Sequence, residues 1–212
     1  FVARLALCRP ARQWLTMIPD SRTNCVYFAD CIRELHADLG RRLLQHLVEA
    51  AVPVLTIEGA RDIWCRDYMP VQVAEDHFVK FEYRPSYLSG RLERTITPPE
   101  VACAAVPAEF NCDLADINLD GGNVVAWTDK AVLTDRVLAE NPSCEPRRLR
   151  RRLEDLLQVD KVILIPEEPG DMFGHADGIV RFIDAKTVLV SDYSIDNPAF
   201  RAALLAWFRS EG

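Results

Sequence analysis

Apolar residues fall into short blocks separated by longer amphipathic stretches, a pattern that is typical of an α/β protein. The first part of the chain predicts a strand at 2–7 and then a long helix at 25–50, which Asn24 caps. A further apolar block predicts a strand at 52–57. The chain therefore begins with strands on either side of a helix.

The rest of the chain repeats one order of elements. A strand–strand–helix–strand unit occurs at about 70–118 and again at 122–165, and a third copy from residue 178 has no closing strand. Because such modules bury their faces against their neighbours, we predict that 1–212 is a single partial domain without its C-terminal modules. The predicted elements are strands at 71–73, 77–81 and 114–118 with a helix between 99 and 110, strands at 123–127, 131–134 and 161–165 with a helix at 146–158, and strands at 178–183 and 187–191 with a helix at 197–208.

Three short polar motifs precede the three units, each after a predicted strand. They are Asp-Ile-Trp-Cys-Arg-Asp-Tyr-Met-Pro at 62–70, Leu-Asp-Gly-Gly-Asn at 119–123 and Gly-His-Ala-Asp at 174–177. Groups at equivalent junctions converge if the modules are arranged around one axis. The motifs are therefore predicted to form one site that contains carboxylates and an imidazole.

The composition argues against several classes of function. The net charge is −7 and the pI about 5.2, whereas a nucleic-acid partner requires a basic face. No apolar run reaches the ~20 residues of a membrane span, so no membrane partner is predicted. The seven cysteines are scattered and form no Cys-x-x-Cys pair, which argues against a disulfide framework or a zinc site and favours a reducing, cytoplasmic location.

The motif residues suit a cationic, planar substrate such as a guanidinium. Carboxylates bind this group with charge-assisted bidentate hydrogen bonds, for which Asp67 and Asp177 are candidates. Imidazoles transfer protons near neutral pH, which makes His175 the candidate acid and base. Asp120 would orient His175 or hold a substrate N–H, and Gly122 allows close approach of the backbone.

Each of these residues also has a purely structural interpretation. Aspartates at strand ends commonly cap turns, and a single histidine is more often a structural hydrogen-bonding group. Trp64 is more often a core aromatic residue than a substrate contact, and Arg66 more often an internal ion-pair partner. The joint occurrence of the motifs, in order and at the unit junctions, favours the functional interpretation.

Together, the motifs resemble the agmatine deiminase and bacterial-type peptidylarginine deiminase family. The Trp-x-Arg-Asp-x-x-Pro pattern is quite specific, Gly-His-x-Asp is shared across the guanidine-modifying superfamily, and the resemblance runs from about residue 52 to residue 193. It implies a pentein-type α/β propeller of ββαβ modules, with about three of five present in this chain. It also implies hydrolysis of a guanidino C–N bond to a ureido product and ammonia through a cysteine thiouronium intermediate, without a metal or organic cofactor.

The resemblance assigns roles to individual residues. It implies that Asp67 and Asp177 grip the guanidinium of agmatine or of an arginyl peptide, and that Asp120 and His175 handle protons. Asp120 stands where agmatine deiminases often have Glu, which leaves room for other guanidino substrates. The predicted substrate-binding residues are Asp67, Asp177, Trp64, Arg66 and Gly122.

The nucleophile is the missing part of this prediction. The family's catalytic cysteine lies in a glycine-rich stretch near the C-terminus, and nothing after Tyr193 matches it. Strand alternation would place Cys65 on the face of Asp67, but a buried, unreactive thiol is the better interpretation. Two alternatives to a deiminase stay open: a catalytically inactive partial domain that only binds guanidino compounds, and an amidinotransferase that passes the amidino group to an amine.

An unfinished third unit would expose an apolar edge. Such edges pair or aggregate, so we predict either self-association or a further segment that covers the edge. The apolar residues concerned are Ile179, Val188, Val190, Leu204, Leu205, Trp207 and Phe208.

Overall fold

The computed structural model describes residues 17–211, and it begins with a parallel pair of strands. Strand β1 (Val26–Ala29) lies beside strand β2 (Val54–Ile57), with Val26 opposite Val54 and Ala29 opposite Ile57. A short helix α1 (Ile32–Leu35) and helix α2 (Ala37–Glu49) connect them. The strand predicted at 2–7 lies outside the described residues.

The single helix predicted at 25–50 was wrong. Its first residues form strand β1, so Asn24 precedes a strand and not a helix. The segment 26–29 consists mostly of β-branched and aromatic residues, which favour a strand, and Phe28 and Ala29 are both buried. Parallel strands commonly bury consecutive residues, so the hydrophobic pattern of β1 lacks the period of two that marks a strand. Its apolar residues therefore looked like a continuation of the helical pattern of α2.

Two complete strand–strand–helix–strand units follow, in the predicted order. In the first unit, the short helix α3 (Cys65–Tyr68) precedes the sheet, and α4 (Pro99–Ala104) connects its last two strands. The last strand starts at Asn111, earlier than predicted. The sheet contains β3 (Val71–Ala74) antiparallel to β4 (His77–Glu82), and β4 parallel to β5 (Asn111–Asn118).

The second unit repeats this topology. Helix α6 begins where the Glu145 carboxylate accepts hydrogen bonds from two backbone N–H groups, and it ends at Gln158 in the left-handed conformation. Its buried residues recur every four positions and pack on the sheet: Leu149, Leu153 and Leu157. The elements are β6 (Val125–Ala126) antiparallel to β7 (Lys130–Thr134), α5 (Arg136–Ala139), α6 (Pro146–Leu157) and β8 (Lys161–Ile165), which is parallel to β7.

The third unit consists of an antiparallel pair and a helix, as predicted. They are β9 (Val180–Phe182), β10 (Val188–Val190) and α7 (Pro198–Glu211). The strands of residues 17–211 form four separate sheets, none of them closed, so a propeller around one axis stays a prediction. The β1–β2 pair adds a strand–helix–strand element that the predicted repeat did not include. Within this range, no helix combines the length and the apolar character that crossing a bilayer requires.

The hydrophobic core joins the units in pairs. One cluster combines Val79 of the first unit with Leu133 and α6 of the second. Another combines β8 with β9 and α7, and a third packs Ile57 of β2 against Tyr68 of α3. Since each cluster spans a junction between neighbouring units, packing also fixes the loops at those junctions.

Candidate active site

The three polar motifs meet at the junctions between the units. Helix α3 contacts a helical turn at 121–123, and this turn contacts a second one at 176–178. Each of the three segments contains one motif. The structure therefore brings together the residues that the sequence places on separate strand ends.

The first motif is held in position by its own hydrogen bonds. The Tyr68 hydroxyl, fully buried, donates to the Asp62 carbonyl at 2.9 Å, and the Trp64 backbone N–H donates to the Asp62 carboxylate at 3.2 Å. These bonds fix the short helix α3. Asp67 then projects towards the second motif, where its carboxylate accepts a hydrogen bond from the Gly122 N–H at 3.1 Å.

The second motif requires glycine at two successive positions. A Cβ on Gly121 would lie 1.9 Å from the Arg66 carbonyl oxygen. A Cβ on Gly122 would lie 2.5 Å from both Asp67 Oδ1 and His175 Nδ1. Only a backbone without side chains can therefore pass this close to the first and third motifs.

Asn123 ties the second motif to its surroundings. Its buried side-chain oxygen accepts hydrogen bonds from the Thr134 N–H at 2.8 Å, from the Thr134 hydroxyl at 3.0 Å and from the Ala176 N–H at 3.2 Å. One amide thus connects the second motif, strand β7 and the third motif. Sequence analysis quoted Asn123 within its motif but assigned it no role.

His175 lies between two carboxylates. Its Nε2 is 2.9 Å from Asp120 Oδ2, and its Nδ1 is 3.7 Å from Asp67 Oδ1. The same Asp120 oxygen accepts a hydrogen bond from the Tyr87 hydroxyl at 2.7 Å. Because both ring nitrogens face anionic oxygen, the doubly protonated imidazolium is the favoured form of the ring.

The pKa values of these groups reflect burial together with their mutual contacts. Burial alone would lower the pKa of His175, but the hydrogen bond to Asp120 and the charges of Asp67, Asp120 and Asp177 outweigh it and raise that pKa. Burial raises the pKa of Asp67 to about 6, with further increases from Asp120 and Asp177 and an opposing effect of His175. Asp67 therefore titrates at about pH 6, and the raised pKa of His175 means that its ring holds the second proton more strongly than a free imidazole does.

Asp177 is occupied by arginine side chains of the protein itself. Its Oδ2 lies 3.3 Å from Arg66 Nε and 3.9 Å from Arg181 Nη2. Arg66 also donates to the Val124 carbonyl at 2.8 Å, and Asp20 contacts both arginines. The geometry of Arg66 thus matches an internal ion-pair partner, and the carboxylate of Asp177 already binds guanidinium groups.

Aromatic side chains surround the histidine on one side. The Phe173 ring lies 6.0 Å from the His175 ring and 5.1 Å from the Tyr87 ring, and Phe173 is partly exposed. Trp64 is 65% exposed, so it is not a core residue, and its indole is free to contact a ligand. Tyr87 and Phe173 were not predicted as site residues, because neither stands in a motif that marks it.

The space beside the histidine is small. A cavity of about 10 Å³ is lined by Asp120, Asn123, Phe173 and His175, among others. A much larger groove of about 1010 Å³ lies between the β4–β5 strands and the segment 83–99, and it does not include the carboxylates or the histidine. We assign the chemistry to the side of the small cavity, because His175 and Asp120, which contact each other at 2.9 Å, both line it.

Cys65 does not lie on a strand with Asp67, so the predicted strand alternation was wrong at this position. It is the first residue of α3, where its Sγ lies 3.5 Å from the Tyr68 hydroxyl oxygen, and it packs against the cluster that contains Ile57 of β2. Burial raises the pKa of the Cys65 thiol, which disfavours the reactive thiolate. This environment matches a partly buried, unreactive cysteine.

No group of three or more His, Cys, Asp or Glu side chains in the described range is arranged to hold a metal ion. The chemistry that the arrangement itself offers is carboxylate binding of a cation together with proton transfer by an imidazole.

Solved structures of agmatine deiminases share this fold. The C. jejuni agmatine deiminase is 15% identical, with a TM-score of 0.68, and the alignment covers 93% of this chain and 71% of that one. The Enterococcus faecalis agmatine deiminase is 17% identical, with a TM-score of 0.64 and coverage of 92% and 64%. A structural-genomics structure with a provisional agmatine deiminase assignment is 18% identical, with a TM-score of 0.64 and coverage of 89% and 55%.

The chain thus spans between 55% and 71% of the length of these three structures. A comparison with curated protein sequences gave no match. A family profile described as Porphyromonas-type peptidyl-arginine deiminase matches residues 13–205. Because this match extends over most of the sequence, the chain belongs to the Porphyromonas-type peptidyl-arginine deiminase family.

Proposed function

We propose that this chain provides the substrate-binding and proton-transfer groups of a guanidine deiminase. The observation that carries the proposal is the His175 ring held between Asp67 and Asp120, with Asp177 close enough to affect the pKa of both His175 and Asp67. Asp67 and Asp120 flank the imidazole directly, whereas Asp177 is paired with Arg66 and Arg181 and would bind a substrate by exchange with one of them. Such a site selects a planar cation that donates hydrogen bonds in several directions.

The reaction follows from these groups and a cysteine nucleophile. Asp67 and Asp177 hold the N–H groups of the guanidinium, while the cysteine sulfur bonds to its central carbon. His175 donates a proton to the departing nitrogen, which leaves as ammonia, and a thiouronium remains on the sulfur. His175 then accepts a proton from water, which attacks the same carbon and releases the ureido product and the thiol. Asp120 orients the imidazole throughout.

The proposal places the nucleophile outside residues 17–211. Of the cysteines in this range, Cys65 is buried beside β2, Cys103 and Cys112 contact each other, and Cys144 packs on the core shared by the two complete units. Cys25 and Cys31 adjoin strand β1. The polar contacts of His175 within residues 17–211 are with carboxylates and involve none of these six cysteines.

We propose agmatine or a peptidyl arginine as the substrate. The fold shared with agmatine deiminases supports the first, and the family match supports the second. The rings of Tyr87 and Phe173 offer an apolar surface beside the histidine for the aliphatic part of either compound.

The proposal is tested by replacing the imidazole. The complete protein, including the proposed cysteine nucleophile, is incubated with agmatine and with an arginyl peptide, and ammonia and ureido product are measured. His175→Ala should abolish the release of both. The matched control is His77→Ala, because His77 also contacts a carboxylate, Asp113, at 3.0 Å but outside the site, and it should retain activity.

Two other outcomes would identify a different function. Product formation by His175→Ala at the native rate would contradict the assignment of His175. An increase in product only when a primary amine is added would indicate an amidinotransferase. To separate catalysis from recognition, guanidinium binding by the 212-residue chain is measured by calorimetry. Binding without turnover would indicate a domain that only recognises guanidino compounds.

A further inference from the structure

Two cysteines outside the active site face each other. Cys103 lies near the end of α4 and Cys112 near the start of β5, and the Cys112 thiol donates a hydrogen bond to Cys103 Sγ at 3.6 Å. Both residues are only partly buried, so small molecules can reach them. The two sulfur atoms would have to approach each other by only about 1.5 Å to reach the length of a disulfide bond.

A buried lysine adjoins the pair. Lys80 of β4 pairs with Leu114, two residues after Cys112, so Lys80 and Cys112 project from the same face of the sheet. The Lys80 side chain is only 4% exposed, and its ammonium donates to the Phe81 carbonyl at 2.6 Å. Burial lowers the pKa of Lys80, and charge on Cys103 or Cys112 acts against this effect. An anionic sulfur would therefore stabilise the buried ammonium, and the ammonium would stabilise the anion.

The two sulfurs are not equivalent. Burial and the hydrogen bond to Cys103 raise the pKa of Cys112 to about 12, so Cys112 keeps its proton. Cys103 accepts that hydrogen bond, which stabilises negative charge on its sulfur. Cys103 is thus the nucleophile of the pair and Cys112 the resolving thiol.

We propose that Cys103 and Cys112 are a redox-active dithiol that exchanges with low-molecular-weight disulfides of the glutathione type. The Cys103 thiolate attacks one sulfur of the small disulfide, which forms a mixed disulfide and releases one small thiolate. Cys112 loses its proton to solvent and attacks Cys103 Sγ, which breaks the mixed disulfide and releases the second thiolate. The protein dithiol is oxidised by two electrons, and the small disulfide is reduced to two thiols. This site is independent of the proposed deiminase function.

The test uses the folded chain without any substitution. It is equilibrated with mixtures of reduced and oxidised glutathione, the remaining thiols are blocked by alkylation, and the disulfides are mapped by peptide mass spectrometry. A Cys103–Cys112 disulfide should form first and should be reversed by reduced glutathione. Cys31 and Cys65 are the internal control, because they are close enough for a charge on one to affect the pKa of the other. Both should stay reduced during the equilibration and should be recovered in alkylated form. Free thiols at both Cys103 and Cys112 under conditions that oxidise other cysteines would overturn the proposal.

Three variants test the assigned order of attack. Cys112→Ser should accumulate glutathione on Cys103, because the resolving thiol is absent. Cys103→Ser should be modified by glutathione at Cys112 at least ~10-fold more slowly than Cys112→Ser is at Cys103, because Cys112 holds its proton. Lys80→Met should slow modification of Cys103, because the buried ammonium no longer stabilises an anionic sulfur beside it. Equal modification of the two serine variants would contradict the order, and an unchanged rate in Lys80→Met would contradict the role of the lysine.

Discussion

Charge in the active site is concentrated on a few side chains that touch one another. His175 faces Asp67 through one ring nitrogen and Asp120 through the other, so each carboxylate affects the charge that the imidazole carries. Because burial weakens the screening by water, these contacts have larger effects than the same contacts on the surface. Changes of one atom or one methyl group are therefore expected to be measurable here.

Tyr87→Phe removes a single hydroxyl from this network. The hydroxyl competes with His175 for the same oxygen of Asp120, so its removal leaves more negative charge for the imidazolium. The pKa of His175 should rise, as measured by NMR titration of the imidazole. The free energy of unfolding should fall by about 1.5–3 kcal/mol, the range for hydrogen bonds to charged groups. Tyr193→Phe removes a similar bond, to Glu168, outside the site and should leave the titration of His175 unchanged.

Gly122→Ala adds one methyl group between two functional side chains. Since its Cβ would lie 2.5 Å from both Asp67 and His175, one of them must move. A displacement of ~1 Å in a catalytic site commonly lowers activity ~100-fold, and we expect at least that loss of ammonia release. Gly178→Ala is the matched control, because no atom lies within 4 Å of the added methyl. Full activity in Gly122→Ala would contradict the geometry described for the site.

The charged groups of the site could be predicted from the sequence, whereas the residues that hold them in place could not. Asp67, Asp120 and His175 stand in motifs whose spacing marks the unit junctions, and the structure brings them into contact. Tyr87 reaches Asp120 across 33 residues of sequence, and nothing in its local sequence marks that contact. The sequence shows Asn123 only as part of a motif. The three groups that donate to its side chain, two on Thr134 and one on Ala176, become its neighbours only when the sheets pack.

At the scale of elements, hydrophobic periodicity correctly predicted the helices that are determined by local capping and by the spacing of their apolar residues. The helix predicted at 146–158 forms as α6, because Glu145 caps it and its leucines recur every fourth residue. Strand β1 was missed because its partner, β2, lies far along the chain. The turn of helix in α3 was also missed, because its hydrogen bonds to Asp62 involve tertiary placement of Tyr68. Short elements depend on such contacts more than on their own sequence.

At the scale of the molecule, Asp67 couples the site to overall stability. The pKa of this carboxyl rises on folding from an ordinary value of 3.8 to about 6, so the native state binds the proton more tightly than the unfolded state does. The stability that this group contributes is present below pH 3.8 and is lost as the pH rises through about 6. The raised pKa of His175 acts in the same direction above its ordinary value of 6.5.

Asp67→Asn should remove this dependence. The free energy of unfolding of the native chain should decrease between about pH 4 and about pH 7, and that of Asp67→Asn should decrease less. The difference between the two decreases should be on the order of 3 kcal/mol. Denaturant unfolding at a series of pH values measures the difference. Asp76→Asn, in the exposed turn between β3 and β4, should leave the native profile unchanged. Parallel profiles for Asp67→Asn and the native chain would contradict the raised pKa.

The core clusters that join the units in pairs have a further consequence for the active site. Asp67, Asp120 and His175 come from three different junctions, so the site exists only in molecules in which all the neighbouring units are docked. The fraction of molecules with an intact site is the product of the docking equilibria of the units. Undocking of one unit costs less free energy than complete unfolding of the chain does. On gradual heating, the site should therefore disassemble while most helices and strands persist, which makes it a cooperative sensor of how the units are assembled.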